Sequence, residues 1–222
     1  MLRYLRFVSG PAVAAGLLIG TFCTTSAHAA VLISNLNGND SGGTTLVGSL
    51  DRSKAVGFTL PGGNGYQFDN AVVRLDIGNV TRTLGAGIYG STAGTPSGSA
   101  LTTLTIPAFT ATGIQNYTLS PGTPLVLQPL TTYFLVVYGT SPGSSTSYID
   151  WMANSPSAAP TGVATFAGAY GDNSGAVTVP PTTASSTANS FAINATAVPE
   201  PGTVSLLLLS VLGAGVMRWR RG

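Results

Sequence analysis

The sequence predicts an all-β fold, specifically a single jelly-roll-like β-sandwich of about 9 to 11 short strands. Between Ala30 and Val198, hereafter the body, short apolar stretches are separated by Gly, Pro, Asn, Ser and Thr, and no segment has helical periodicity. The body is also long enough to bury about two-thirds of its unfolded surface in one core. We therefore expect one domain, 30–198, between an N-terminal segment, 1–29, and a C-terminal segment, 199–222.

Two of the predicted strands indicate how they are covered. In Ala71–Ile77, apolar residues alternate with polar ones, and Arg74 and Asp76 on the polar face have the potential to form a surface ion pair. In Thr132–Tyr138, both alternations are apolar, so this strand should be central and covered on both faces. Phe191–Thr196 should close the sheet with one solvated face. The other predicted strands are Val31–Asn35, Thr45–Leu50, Ala55–Leu60, Leu84–Tyr89, Leu101–Ile106, Ile114–Leu119, Tyr148–Ala153 and Gly162–Ala167.

Segments rich in Gly, Pro and Ser predict the loops. Pro61–Gly65, Gly90–Ser99 and Ser141–Ser147 have turn composition, because Gly supplies positive φ and Pro presets φ. Asp172–Ser190 is the longest biased segment, but apolar alternation resumes after it. We interpret it as a loop within the domain that contains a short strand at Ala176–Val179.

The end of the chain, VPEPGTVSLLLLSVLGAGVMRWRRG, combines a Pro199-Glu200-Pro201 break with an uncharged run and three arginines, Arg218, Arg220 and Arg221. As a helix, the uncharged residues Thr203–Met217 would be about 22 Å long. A hydrocarbon core is roughly 30 Å thick, so the segment predicts a marginal membrane helix with its arginines in the cytoplasm.

This three-part order resembles the PEP-CTERM sorting signal of Gram-negative bacteria that make extracellular polysaccharide. The resemblance implies that an exosortase-type membrane protease recognises Pro199, Glu200 and Pro201 and removes the helix. The protein would then reside only transiently in the inner membrane. An ordinary tail anchor is the alternative interpretation.

The N-terminus predicts export. Arg3 and Arg6 precede a short apolar stretch, Val13–Phe22, and Ala27 and Ala29 are small residues that signal peptidase accepts before Ala30. Residues 1–29 are therefore predicted to be a signal peptide.

The basic charge of the chain belongs to its two ends. Although the whole chain has a formal charge of +2, the body has four basic and six acidic residues. A nucleic-acid footprint would need clustered Lys and Arg, so we expect no nucleic-acid partner.

The body also resembles the choice-of-anchor domains, in particular type R. The resemblance covers Asn35–Ala197 and rests on GFTLPGG, AVVRLDI, GAGIYGSTAGTPSGSALTTL and LQPLTTYFLVVYG, followed by a strand with Trp151. It implies an extracellular β-sandwich without a known catalytic site, whose tail determines its attachment.

The residue types of the body argue against an enzyme. The single cysteine and histidine, Cys23 and His28, precede the body, which excludes triads built on His or Cys and removes the usual ligands of zinc and haem. Lys54, the only lysine, lies outside any Ser-x-x-Lys motif and is expected to be a solvated strand-end residue. A glycoside hydrolase using pairs of aspartates is a distant alternative. We expect no enzymatic activity, no disulfide and no cofactor.

Two loops are oxygen-rich. NGNDSGG and GDNSG place Asn37, Asn39, Asp40, Asp172 and Asn173 on Gly turns, which is compatible with weak calcium sites. Asx-type turns that bond their own backbone explain the same residues, so both interpretations stay open.

Carbohydrate contact is predicted at one strand. Tyr148 and Asp150 share a face, whereas Trp151 lies on the opposite face and is expected in the core. Tyr66, Tyr117 and Tyr170 also have polar surroundings, which exposed tyrosines and buried or half-buried strand tyrosines explain equally well. The sequence thus predicts an exported surface or matrix protein with a structural or adhesive role alongside exopolysaccharide. A carbohydrate-binding module is the alternative.

Overall fold

The computed structural model describes residues 29–36, 40–140, 147–154, 158–172 and 177–198, which form fourteen strands and no helix. The all-β prediction is confirmed. The strands are β1 Ala29–Ser34, β2 Asp40–Val47, β3 Ser53–Thr59, β4 Tyr66–Ile77, β5 Leu84–Thr92, β6 Thr95–Thr105, β7 Gly113–Pro121, β8 Val126–Leu127, β9 Thr132–Gly139, β10 Ile149–Asn154, β11 Thr161–Gly162, β12 Thr165–Asp172, β13 Thr183–Ser185 and β14 Phe191–Ala197. In these ranges, nothing helical is long and apolar enough to cross a membrane.

The strands form one curled antiparallel sheet. Its main path runs β11-β1-β14-β4-β7-β6-β5-β9-β3-β12-β13, while β10 joins β2 to β4, and β8 pairs with β4. The curl brings distant parts of this path together, because Leu32 of β1, Phe58 of β3 and Trp151 of β10 belong to one buried cluster. A single core therefore lies inside the curl.

Strand β4 confirms the predicted alternation. Val73, Leu75 and Ile77 are completely buried, while the residues between them are only partly covered. The expected pairing of Arg74 with Asp76 is wrong, because Arg74 forms its ion pair with Asp40 of β2. Strand β2, which is connected to β4 through β10, presents the carboxylate that strand alternation alone could not locate.

Strand β9 is central and covered on both faces, as predicted. It pairs with β3 on one side and β5 on the other. Leu135 and Val137 point into the main core, whereas Phe134 and Val136 belong to a second cluster on the outer face. The ring of Phe134 meets that of Tyr170 edge to face, with centroids 5.5 Å apart. The apolar side chains on each face of β9 therefore pack against a cluster of their own.

Several strand boundaries differ from the prediction. Strand β2 begins at Asp40 rather than Thr45, because its Gly-rich start pairs with β10 despite a loop-like composition. Residues 177–179 are not in a strand, and the short strand in this region is instead β13. The other missed strands, β8 and β11, have two residues each and carry no periodicity to detect.

The segment Gly90–Ser99 is a hairpin rather than a loop. Residues Thr92 and Thr95 pair directly, and the turn between them has positive φ at both Ala93 (50°) and Gly94 (82°). Two consecutive positive φ values characterise the tight turns whose twist matches antiparallel strands. The composition of the segment correctly indicated a turn, but the turn itself consists of only two residues, Ala93 and Gly94.

The first and last strands are neighbours. Ala29 of β1 pairs with Thr196 of β14, so both ends of the body lie at one end of the sheet. The face of β14 that was expected to be solvated is only partly exposed. Ala192 is buried, and the Asn194 side chain donates a hydrogen bond to Asn70 Oδ1 at 2.7 Å. Placement between β1 and β4 explains this coverage.

We predict that Gly57→Ala destabilises the protein by about 1 to 3 kcal/mol through overpacking. A Cβ at Gly57 would overlap the ring of the fully buried Phe134, which Tyr170 prevents from moving away. Gly90→Ala is the matched control, since a Cβ there meets nothing within 4 Å. Urea unfolding of both variants measures the difference, and equal stabilities would contradict the packing described for β9.

Candidate functional site

The predicted face of β10 is correct. Trp151 is completely buried and its Nε1 donates to Ser190 O at 2.9 Å, while Tyr148 and Asp150 lie towards the outside. Asp150 pairs with Thr45 of β2 on one side and with Asp76 of β4 on the other. These side chains therefore form a polar row across three strands.

The segment 48–52 brings a cation to this row. Arg52 N donates to Leu46 O at 2.8 Å, and Arg52 O accepts from Gly139 N at 3.0 Å, which fixes the backbone just before β3. A first cavity of about 320 Å³ results. It is lined by Thr45, Gly48, Ser49, Leu50, Arg52, Tyr148 and Asp150.

Two polar atoms of this cavity wall lack hydrogen-bond partners among the described residues, Asp150 Oδ1 and Arg52 Nε. Buried polar atoms are normally paired, so unpaired ones need an explanation. Both atoms are enclosed, so contact with a ligand requires the side chains of Asp150 and Arg52 to rotate, which is easiest about the broad χ2 of the aspartate. The wall thus contains one acceptor and one donor with unused hydrogen-bonding capacity.

Tyr148 supplies an aromatic ring to the same cavity. Its hydroxyl donates to Asp76 Oδ2 at 3.5 Å, and a Cβ added at Gly78 would lie 2.6 Å from the ring. The absence of a side chain at Gly78 therefore lets the ring rest on the backbone. The charge of Asp76 foremost, then burial and the charge of Asp150, raises the pKa of Tyr148, so the phenol stays protonated.

A second cavity, of about 420 Å³, adjoins the first. It is lined by Gly43, Thr44, Thr45, Arg52, Lys54, Gly171, Ala184, Ser185, Ser186 and Thr187. Because Thr45 and Arg52 line both cavities, we call the two together the Arg52 groove. Among the described residues, the lining of the second cavity includes hydroxyl groups and two cations but no carboxylate.

The expectation that Lys54 is solvated is wrong. Only 3% of this residue is exposed, and its Nζ donates a hydrogen bond to Ser185 Oγ. The reason is that β3 is not an edge strand: β12 pairs with it and β13 pairs with β12, so the Lys54 side chain extends past Gly171, its partner on β12, to Ser185 of β13. Burial lowers the pKa of Lys54 to about 8, since no carboxylate lies within ion-pair distance among the described residues.

The two described calcium candidates have other partners. Asp40 is paired with Arg74, and Asp172 Oδ2 accepts a hydrogen bond from Thr178 N at 2.7 Å. Within the described ranges, no group of three or more metal-ligating side chains occurs. Asn37, Asn39 and Asn173 lie outside those ranges. The described hydrogen bond of Asp172 spans six residues, so it differs from an Asx turn, in which the side chain bonds the backbone two residues on.

The other candidate tyrosines are less available. Tyr117 is 7% exposed and packs edge to face on Phe109, so the interpretation as a buried strand tyrosine is the correct one. Tyr66 is half-buried against the core, and the Tyr170 hydroxyl donates to Gly94 O at 2.9 Å. Tyr148 is thus the tyrosine that lines the groove.

Most predicted processing residues lie outside the described ranges. These are Ala27, Pro199, Glu200, Pro201, Arg218, Arg220 and Arg221. Ala29 and Ala30 are exposed at the start of β1.

The sequence-based assignment missed Arg52, Thr45 and Ser185. A signal for Arg52 was present, since it lies two residues before Lys54 and alternation places both on one face of a strand. Ser185 carried no signal, because it lies in a Ser- and Thr-rich segment whose pairing with β12 is long-range.

Comparison with known proteins gives no relative. No family model matches the chain, and neither curated proteins nor solved structures match it.

We predict that Lys54→Met raises the free energy of unfolding below about pH 8, with the advantage shrinking as the pH rises towards 10.5. The pKa of Lys54 is lowered from 10.5 to about 8 by burial, so the unfolded chain binds the proton more tightly across that interval. Stability of the natural protein therefore rises with pH there. Denaturant unfolding at several pH values measures the difference.

Ser185→Ala is the control: it removes the hydrogen-bond acceptor of Lys54 but keeps the buried amine, so the stability should still rise with pH between about pH 8 and 10.5. A Lys54→Met protein whose stability follows the natural protein in parallel at every pH would contradict the buried-amine description.

Proposed function

We propose that this chain is an exported surface or extracellular-matrix protein with a structural or adhesive role, and that it holds exopolysaccharide non-covalently in the Arg52 groove without cleaving it. The observation that carries the proposal is the combination in the first cavity of the Tyr148 ring with the unpaired atoms Asp150 Oδ1 and Arg52 Nε. In this proposal, the adhesive domain acts as a carbohydrate-binding module.

The chemistry of a sugar matches this combination. Each hydroxyl group of a sugar both donates and accepts hydrogen bonds, so one residue can satisfy Asp150 and Arg52 together. The Tyr148 ring offers an apolar surface with a polar tip, suited to the C–H face of a sugar ring. The low charge of the body favours weak single-site binding, and many copies on a surface would add avidity.

The location we propose follows the two terminal signals. A signal peptide removed before Ala30 and an exosortase-type cleavage near Glu200 would leave a protein delivered through the inner membrane of a Gram-negative bacterium to its surface or matrix. The pairing of Ala29 with Thr196 supports this proposal, since both cleavage points then flank one end of the sheet. The curled sheet in this proposal is a jelly-roll-like sandwich of the choice-of-anchor type.

Glycoside hydrolysis is a second candidate, favoured by one observation. Asp76 and Asp150 face each other across β4 and β10, and sugar cleavage needs two carboxyl groups at one cleft. Only Asp150 lines the cavity, however, and Asp76 accepts the Tyr148 hydroxyl instead. Release of reducing sugar by the purified protein, abolished by Asp150→Asn, would establish the hydrolase in place of the binding module.

We predict that Tyr148→Ala weakens retention on immobilised exopolysaccharide of the host by roughly 3- to 10-fold, since an aromatic contact is worth about 0.5 to 1.5 kcal/mol. Tyr148→Phe keeps the ring and should retain most of the binding. Gln115→Ala, on the exposed part of β7, is the surface control. Affinity chromatography measures retention, with the melting temperature as the test of folding. Equal retention of Tyr148→Ala and Gln115→Ala would refute the site.

We predict double processing of the native protein. The mature chain should begin at Ala30 or within a few residues and end near Glu200, and Glu200→Ala should leave the protein in the inner membrane. Intact-mass analysis of fractionated host cells tests both statements, with Gly202→Ala as the control. Surface material that still contains Arg220 would contradict the exosortase-type processing.

A further inference from the structure

The second cavity of the Arg52 groove has an unusual charge balance. Lys54 and Arg52 both line it, and its other lining groups are backbone, small residues and the hydroxyls of Ser and Thr. Lys54 is almost fully buried, and burying a cation without a counter-ion is costly. A buried cation next to open, hydroxyl-lined space is a site at which an anion can recover this cost.

The nearby acidic groups do not neutralise Lys54. On β12, Asp172 follows Gly171 and bonds to Thr178 N; on β2, Asp40 bonds to Arg74. On β10, Asp150 lines only the first cavity. Strand β9 places Val137 opposite Lys54 and contributes no charged residue, only Tyr133 and Tyr138, and β13 has no titratable group. The described surroundings of the amine therefore leave its charge without a partner.

The geometry around Lys54 leaves space for a ligand. A Cβ at Gly171 would lie 3.4 Å from Lys54 Cδ and 3.6 Å from Nζ, so the absence of a side chain keeps this side of the amine uncovered by β12. Ser185 Oγ accepts hydrogen bonds from Lys54 Nζ and, at 3.3 Å, from Thr187 N, which holds the hydroxyl in the cavity wall.

We propose that the second cavity binds the carboxylate group of an acidic sugar residue, with Lys54 and Arg52 as its cationic ligands. This inference rests on the proposed function of the groove and specifies its ligand. Asp150 in the first cavity disfavours a carboxylate there. The preferred polysaccharide therefore has an acidic residue next to a neutral one, with the neutral residue on Tyr148 and the acidic one against Lys54.

The single lysine provides a direct test. The full chain, in an uncharged detergent and with an isotopic carbon label at the ε position of lysine, gives one lysine signal in the NMR spectrum, whose titration reports Lys54. Glucuronate is the probe, glucose is its neutral counterpart, and inorganic sulfate is a small anion without a sugar ring.

Saturating glucuronate should raise the titration midpoint of Lys54 by about one pH unit, which corresponds to roughly tenfold tighter binding to the charged amine. Glucose should leave the midpoint unchanged. Gly171→Ala, whose methyl group lies against the amine, should weaken glucuronate binding several-fold, whereas Gly90→Ala should not. Arg52→Gln should weaken it about tenfold, as expected for loss of a charge-assisted contact.

Two results would overturn the proposal. One is an unchanged midpoint in saturating glucuronate, and the other is a shift with sulfate alone, which would indicate a site for small inorganic anions. Either result is distinct from failure of the proposed function, which is measured by retention on polysaccharide through Tyr148. A chain that loses the glucuronate response but keeps Tyr148-dependent retention would still be a polysaccharide-binding protein.

Discussion

The curl of the sheet depends on burial of one continuous apolar face, because the body has no cysteine with which to form a disulfide. Trp151, Phe58 and Leu32 come from distant strands and meet in the same core. Strand β9 is the centre of this arrangement, since its two faces serve two clusters and its two edges pair with β3 and β5. Burial on this scale is the dominant favourable term in folding, so it can offset the free-energy cost of buried polar groups that lack partners.

Some of these polar costs lie at the Arg52 groove, while other buried polar atoms without described partners, such as Tyr117 Oη and Ser190 Oγ, do not line it. A buried amine at Lys54 and unpaired atoms at Arg52 and Asp150 each disfavour folding, and all three residues line the same groove. Local violations of packing rules are expected at functional sites, where a ligand can satisfy what the protein leaves unpaired. The proposed roles in sugar and carboxylate binding give these costs a common explanation.

The periodicity of apolar residues in the sequence predicted those features of the fold that depend on neighbouring residues. The alternation of β4, the double coverage of β9 and the burial of Trp151 could all be read from neighbouring residues. Long-range pairing could not be read in this way: Arg74 bonds to Asp40 rather than Asp76, and Lys54 is buried because β12 and β13 extend the sheet beyond β3. Tyr148 and Asp150 were predicted together because they are two residues apart on one strand, whereas Ser185 joins the site only through the long-range pairing of β13 with β12.

We propose that a polysaccharide binds in the Arg52 groove. The decisive experiment is a crystal structure of the protein with oligosaccharides released from its host's exopolysaccharide. We expect sugar density in the groove, with one ring against Tyr148 and hydroxyl groups bonded to Arg52 and Asp150. Ordered sugar bound elsewhere on the sheet, with the groove side chains arranged as they are without ligand, would contradict the claim.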